Sequence, residues 1–211
     1  IIPRVLSSFL FSDKFRLRRF TSLLALNVIL VYTKYMRSKT MKYLPDIYKK
    51  NIFDINYDKL KKKDIKCLIF DLDNTLAFID STKVEDKVKE LITKLKKDFL
   101  VIIVSNSPKK RVSTFGEDLG VDYYPFALKP TIRTLKKIKS KYNLESKSIA
   151  IIGDQFMTDM GYGYKGHITK IFVDPLAVKD LKITNINRYL EEKIMNKYSK
   201  NNLFKKGKYY E

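Results

Sequence analysis

The sequence predicts an α/β fold, a Rossmann-like three-layer sandwich on a mainly parallel sheet. Three observations point to it. Short apolar runs recur at Lys66 to Phe70, Phe99 to Val104, Val121 to Tyr124, Ile149 to Ile152 and Ile171 to Val173. The segments between several of them carry apolar residues at helical spacing, and strands alternating with helices are the pattern of parallel crossover units. The longer strand runs are unbroken rather than alternating, as a sheet buried on both faces requires.

Taken in order, the first run leads straight into Asp71. Residues 84–97 place Val84, Val88, Leu91, Ile92 and Leu95 on one helical face, supported by Glu85–Lys89 and Glu90–Lys94 pairs. After Phe99 to Val104, a helix over 108–118 opens at Pro108 and ends near Gly120. Ile132, Leu135, Ile138 and Tyr142 mark the next helix, the strand Ile149 to Ile152 ends at Gly153, and 157–165 read as a weaker helix. The chain shows no internal repeat and no low-complexity linker. The expected organisation is an α/β domain over 41–183, a basic and apolar N-terminal extension over 1–40, and a basic C-terminal helix and tail over 184–211. Ile183, Ile186, Leu190, Ile194 and Tyr198 give that last helix an apolar stripe.

A chain of 211 residues suits one ordinary domain with short extensions. Its single cysteine, Cys67, rules out an internal disulfide framework, and its single histidine, His167, argues against a His-dependent triad or a multi-His zinc site. Cys67, inside the first run, reads as a small core residue, and His167 as a surface residue without a catalytic role. The net charge is +20. Residues 1–40 hold eight Lys/Arg against one acid, and 179–211 hold nine against four, so more than half of the excess lies at the two ends. Such ends suit anionic lipid surfaces or nucleic acid. In the first segment Arg16, Arg18 and Arg19 precede an apolar run from Phe20 to Tyr32, which is short for a membrane span. That run fits a signal-like segment, an interfacial helix or a short core helix, and Met41 offers an alternative start.

Four clusters carry chemistry. Asp71-Leu72-Asp73-Asn74-Thr75-Leu76 follows the first strand, so two carboxylates can converge on one phosphate. One carboxylate can attack phosphorus to form an aspartyl-phosphate, and a second can move the protons. Ser105-Asn106-Ser107 follows the second strand, where a hydroxyl and backbone N–H groups at a helix start can bind phosphate oxygens. Lys129-Pro130 precedes the third helix and brings a cation to offset the carboxylates and the phosphoryl group. Gly153-Asp154-Gln155-Phe156-Met157-Thr158-Asp159 follows the fourth strand with two more acids. Clustered carboxylates repel unless a cation lies among them, and oxygen ligands beside phosphate suit Mg²⁺.

In this order and context, DLDNTL, Ser105, Lys129 and GDQFMTD resemble the four motifs of phosphatases of the haloacid dehalogenase (HAD) superfamily. A closer resemblance covers about 41–211. The run YLPDIYKKNIFDINYDKLKKKDIKCLIFDLDNTLAFID, SNSPKKRV, ALKP, GDQFMTD, IFVDPL and the basic ending INRYLEEK…FKKGKYYE are similar to the bacterial YqeG family of HAD subclass IIIA. After GDQFMTD that family continues with Leu and a Gly-Gly-Asn segment, whereas this chain reads MGYGYKGHITK. The resemblance implies a HAD-like Rossmannoid sandwich with no large cap domain. It implies Asp71 as nucleophile and Asp73 as acid/base, with Mg²⁺ held by Asp71, the Asp73 backbone carbonyl and Asp154 and supported by Asp159. Ser105, Asn106 and Lys129 would bind phosphate. It further implies a phosphatidylglycerophosphatase-like activity.

The spacing has its own consequence for substrate. Residues 77–98 leave room for one connection and one helix, and 107–128 for one helix and one strand, so no cap fits and the site is expected to be open. An open site with basic ends suits a phosphate displayed on something large. The expected partner is a phospholipid head group, with peripheral association at the inner face of the membrane of a cytoplasmic protein and no nucleic-acid partner. The rival readings are a phosphatase acting on nucleic-acid ends or soluble esters, which would use the same residues, and a non-catalytic basic binding module, which would lack one of the four motifs.

Overall fold

A computed structural model describes residues 42–177 and 193–211. These residues all fall within the compact unit Thr40–Glu211. The apolar run of residues 20–32, and Ile183, Ile186 and Leu190 of the expected C-terminal stripe, lie outside the described residues.

Six strands form one parallel sheet: β1 (Ile47–Lys49), β2 (Cys67–Phe70), β3 (Leu100–Val104), β4 (Asp122–Tyr124), β5 (Ile149–Gly153) and β6 (Thr169–Val173). Their spatial order is β1-β6-β5-β2-β3-β4. From β2 the chain moves outward through β3 and β4, then returns to place β5 on the other side of β2. The connections therefore diverge between β2 and β5, which opens a crevice at their carboxyl ends, where doubly wound sheets place their chemistry.

The helices are α1 (Tyr57–Lys62), α2 (Asp86–Leu95), α3 (Lys109–Leu119), α4 (Arg133–Tyr142) and α5 (Gly161–Gly166). Successive strand residues point to opposite faces, so β2 supplies two cores. Leu68 and Phe70 join Val88, Ile92, Val112 and Phe115 under α2 and α3. Cys67 and Ile69 join Leu135, Ile138 and Tyr162 under α4 and α5. Cys67 is fully buried, as expected, and burial pushes its thiol up to about 12. α3 ends as its sequence predicts, with Gly120 in the left-handed conformation at φ 60°.

β1 is not foreseen by the sequence. It has only three residues and no apolar run, and it exists because Ile47, Tyr48 and Lys49 pair with Ile171, Phe172 and Val173. Its outer edge is covered in turn. Tyr48 and Tyr210 exchange two backbone hydrogen bonds of 2.9 Å in an antiparallel bridge, so the end of the chain closes an edge that would otherwise be open.

The C-terminal segment also builds a third core. Tyr198 and Phe204 bury against Tyr48, Phe156, Met160 and Phe172, with Ile194 and Met195 packed alongside. The rings stack closely, Phe156 to Phe172 at 4.4 Å and Tyr48 to Phe204 at 4.8 Å between centroids. Residues 193–200 are helical, and their apolar positions Ile194 and Tyr198 pack onto the sheet edge. The weak helix expected over 157–165 is a π-helical turn, Phe156–Met160, followed by α5. Such turns often occur at functional sites. No helix among the described residues is long and apolar enough to cross a membrane.

Candidate active site

The four sequence clusters meet at the crevice. Asp71 directly follows β2, and its N–H donates to the Ile152 carbonyl of β5 at 2.9 Å, which ties the first cluster to the strand carrying the fourth. Lys129 enters from the loop before α4. Its Nζ lies 2.6 Å from Asp71 Oδ1 and 2.6 Å from Asp159 Oδ1, with 1% of the side chain exposed. Thr75 Oγ1 donates to Asp154 Oδ1 at 3.3 Å, and the Gln155 N–H donates to Asp159 Oδ2 at 3.1 Å. Gly153 makes the close approach of Asp159 feasible: a Cβ there would stand 2.4 Å from Asp159 Cγ.

Asp71, Asp154 and Asp159 offer carboxylate oxygens that all lie within 4.8 Å of one another. All three are buried, and Lys129 pairs with two of them, Asp71 and Asp159. Burial pushes the Asp71 carboxyl up, Lys129 pulls it back, the Asp159 charge raises it again, and it settles at about 7. Burial alone would lower the Lys129 ammonium, but Asp159 and Asp71 together hold it above the ordinary lysine range. A buried pocket lined with three carboxylates offers hard oxygen donors that fit a divalent cation such as Mg²⁺.

Asp73 stands slightly apart. Its Oδ1 accepts from Arg111 Nε at 2.6 Å and its Oδ2 accepts from the Ser107 hydroxyl. Arg111 also donates to the Ser81 and Phe78 carbonyls, each at 2.7 Å, so one guanidinium fixes both the carboxylate and the 78–81 loop. Ser105 is buried, and its Oγ accepts from the Ser107 N–H at 3.2 Å. Asn106 braces the Lys129 backbone: its Oδ1 accepts from the Lys129 N–H at 2.7 Å and its Nδ2 donates to the Lys129 carbonyl at 3.2 Å. His167 is exposed at the end of α5.

Sequence reasoning singled out Asp71, Asp73, Ser105, Asn106, Lys129, Asp154 and Asp159, and all seven line this edge of the sheet or brace residues that do. It placed Ser107 and Thr75 within two of the clusters without giving them a role of their own, and it missed Arg111. Arg111 lies in the first turn of α3 beside Lys109 and Lys110, and nothing in its sequence context sets it apart from them.

The intervals that could hold an inserted cap contain only a loop with α2, and α3 with β4. A parallel sheet with an acidic loop at its switch point, a buried lysine and, among the described residues, no inserted cap defines a HAD-type phosphatase. Residues 26–175 match the family described as mitochondrial PGP phosphatase, and the chain belongs to that family. The match begins before residue 41, where the motif resemblance starts. The YqeG phosphatase of Bacillus subtilis is 36% identical over 72% of this chain and 90% of its own length. Phosphatidylglycerophosphate phosphatase 1 of Arabidopsis thaliana, chloroplastic/mitochondrial, is 22% identical over 71% of this chain and 49% of its own. The chloroplastic protein of the same description from Chlamydomonas reinhardtii is 23% identical over 64% and 54%. The chain thus spans most of the bacterial relative and about half of the two algal and plant proteins.

Proposed function

We propose that this phosphatase removes the terminal phosphate of phosphatidylglycerophosphate, leaving phosphatidylglycerol, through a phosphorylated Asp71. The observation that carries the chemistry is the buried Asp71 carboxylate held by Lys129 at the sheet's switch point. The substrate follows from the relatives' named activity together with an uncapped mouth.

Asp71 attacks phosphorus and the bond to the lipid's glycerol oxygen breaks. Asp73 donates a proton to that leaving oxygen. In the second half Asp73 takes a proton from water, the water oxygen attacks phosphorus, and inorganic phosphate leaves with Asp71 restored. Lys129 and the N–H groups following Ser105 bind the phosphoryl oxygens. Mg²⁺, held by Asp71, Asp154 and the Asp73 carbonyl with Asp159 behind them, would neutralise charge on the phosphoryl group.

Arg111 is the positioning residue for Asp73. Arg111→Lys keeps the charge but cannot direct N–H groups at Asp73, Ser81 and Phe78 together. Steady-state kinetics should show kcat reduced about 10- to 100-fold with KM within about twofold, because only proton transfer is disturbed. An unchanged kcat would mean that Asp73 needs no such support.

The substrate is tested with purified protein and Mg²⁺ on phosphatidylglycerophosphate, glycerol 3-phosphate and a 5′-phosphorylated oligonucleotide at matched concentrations. A preference of roughly two orders of magnitude for the lipid is expected, with all turnover lost in EDTA. Equal efficiency on the soluble ester or the nucleic-acid end contradicts the substrate, and full turnover in EDTA contradicts the metal.

A further inference from the structure

The mouth of the site is rimmed by large apolar side chains that the catalytic chemistry does not use. Phe126 and Leu128, three and one residues before Lys129, are 58% and 62% exposed. Phe78 and Leu176 are each 37% exposed. All four are tied to the site. The Phe126 N–H donates to the Ser107 carbonyl at 3.1 Å, the Phe78 carbonyl accepts from Arg111 at 2.7 Å, and the Leu176 N–H donates to the Asn74 carbonyl at 3.0 Å. Leu128 adjoins Lys129 itself.

The loop that presents the first pair is held in an uncommon shape. Phe126 and Leu128 both adopt left-handed backbone, φ 47° and 53°, which is rare for bulky residues and costs conformational energy. Between them Ala127 is buried, with its N–H donating to the Ser105 carbonyl at 3.0 Å. The loop therefore turns its small residue inward and its two large apolar residues outward. Around it stand exposed cations: Lys109 and Lys110 at the start of α3, and Arg133 at the start of α4. Asp80 is an exposed acid on the neighbouring loop.

We propose that this rim is a bilayer-docking surface. Phe126 and Leu128 enter the interfacial layer of an anionic phospholipid membrane, Phe78 and Leu176 rest on it, and Lys109, Lys110 and Arg133 face its head groups. Apolar wedges ringed by cations match an anionic interface in both respects. A second copy of the chain is a poorer occupant, because a two-fold contact would bring the same cations face to face. The helical segment 193–200 is not the anchor in this arrangement, since Ile194 and Tyr198 pack against the sheet edge. The inference deepens the lipid-phosphatase reading and rests on it: seating the rim brings the open pocket to the phosphate without extracting the lipid.

The chain contains no tryptophan, so Phe126→Trp creates a lone reporter. With vesicles of phosphatidylglycerol and phosphatidylcholine, its emission should shift to the blue and be quenched by brominated acyl chains. Phosphatidylcholine alone should produce neither effect. Phe126→Asn combined with Leu128→Asn removes the apolar groups with a residue that tolerates left-handed backbone, so the fold should be retained. Binding to the anionic vesicles and hydrolysis of vesicle-borne lipid should fall at least about tenfold, while turnover of p-nitrophenyl phosphate and of the lipid in detergent micelles stays within about twofold. Undiminished vesicle binding and hydrolysis by the double variant, or an indole that stays wet on vesicles, overturns the docking surface and leaves the lipid substrate standing. Sedimentation showing that the rim joins two copies overturns it in favour of self-association. Absence of lipid hydrolysis by wild type even in micelles instead removes the substrate assignment beneath it.

Discussion

Asp71→Asn is expected to reduce phosphatase turnover by about four orders of magnitude or more while leaving the fold intact. The amide is nearly the same size and shape as the carboxylate but cannot act as the attacking group. The fold should survive because Asp71 sits in an electrostatically costly place: burial holds its carboxyl up near 7, and two more acids crowd the same pocket. Removing one negative charge eases that crowding, so thermal unfolding of the metal-free variant should match or exceed that of wild type. Turnover on p-nitrophenyl phosphate and a melting curve check both halves. Wild-type turnover in the variant would remove Asp71 from the chemistry.

Lys129→Met is expected to have the largest effect on stability. The ammonium is buried between Asp71 and Asp159 at 2.6 Å from each. Taking one partner from a buried ion pair typically costs about 3–5 kcal/mol, because the remaining charge is left uncompensated. The loss should depend on pH with a definite sign. Asp71 already has a folded-state value near 7, above the ~3.9 of an unfolded aspartate, so the folded state holds the proton more tightly. Through this group, stability falls as pH rises from about 4 to 7 and levels off above. Without Lys129 the carboxyl is pushed higher still, so the deficit of the variant should be larger at pH 8 than at pH 5. Urea unfolding of metal-free protein at the two pH values measures it, and an equal deficit at both would contradict the ion-pair account. Activity should be lost at either pH.

Much of this was legible in the residues, for identifiable reasons. β2, β3 and β5 are buried on both faces, so their sequences are unbroken apolar runs that announce strands and their ends. Asp71, Ser105 and Asp154 follow those ends directly, and Lys129 precedes a helix, so position along the chain places them at one edge. β1 was not legible, because a three-residue edge strand is defined by its partner β6 rather than by its own side chains. Arg111 was hidden among Lys109 and Lys110. The Asp73 carboxylate and the Phe78 and Ser81 carbonyls, brought near by folding, distinguish it from its neighbours. The C-terminal stripe illustrates a different limit. An amphipathic basic helix has the same pattern whether it lies on a membrane or on its own sheet, and only the aromatic cluster of Tyr48, Phe156, Phe172 and Phe204 shows where Ile194 and Tyr198 go. Phe126 and Leu128 gave no periodic signal at all, since their exposure arises from the backbone of one loop.

Phosphate is expected to pass through Asp71. The most direct measurement is a rapid acid quench of the enzyme during turnover of ³²P-labelled substrate, followed by peptide mapping. An alkali-labile phosphoryl group is expected on the peptide carrying Asp71, formed and discharged at rates compatible with turnover and absent from Asp71→Asn. Turnover with no phosphorylated protein at any time, under conditions in which an acyl phosphate survives, or label on another residue, would contradict it.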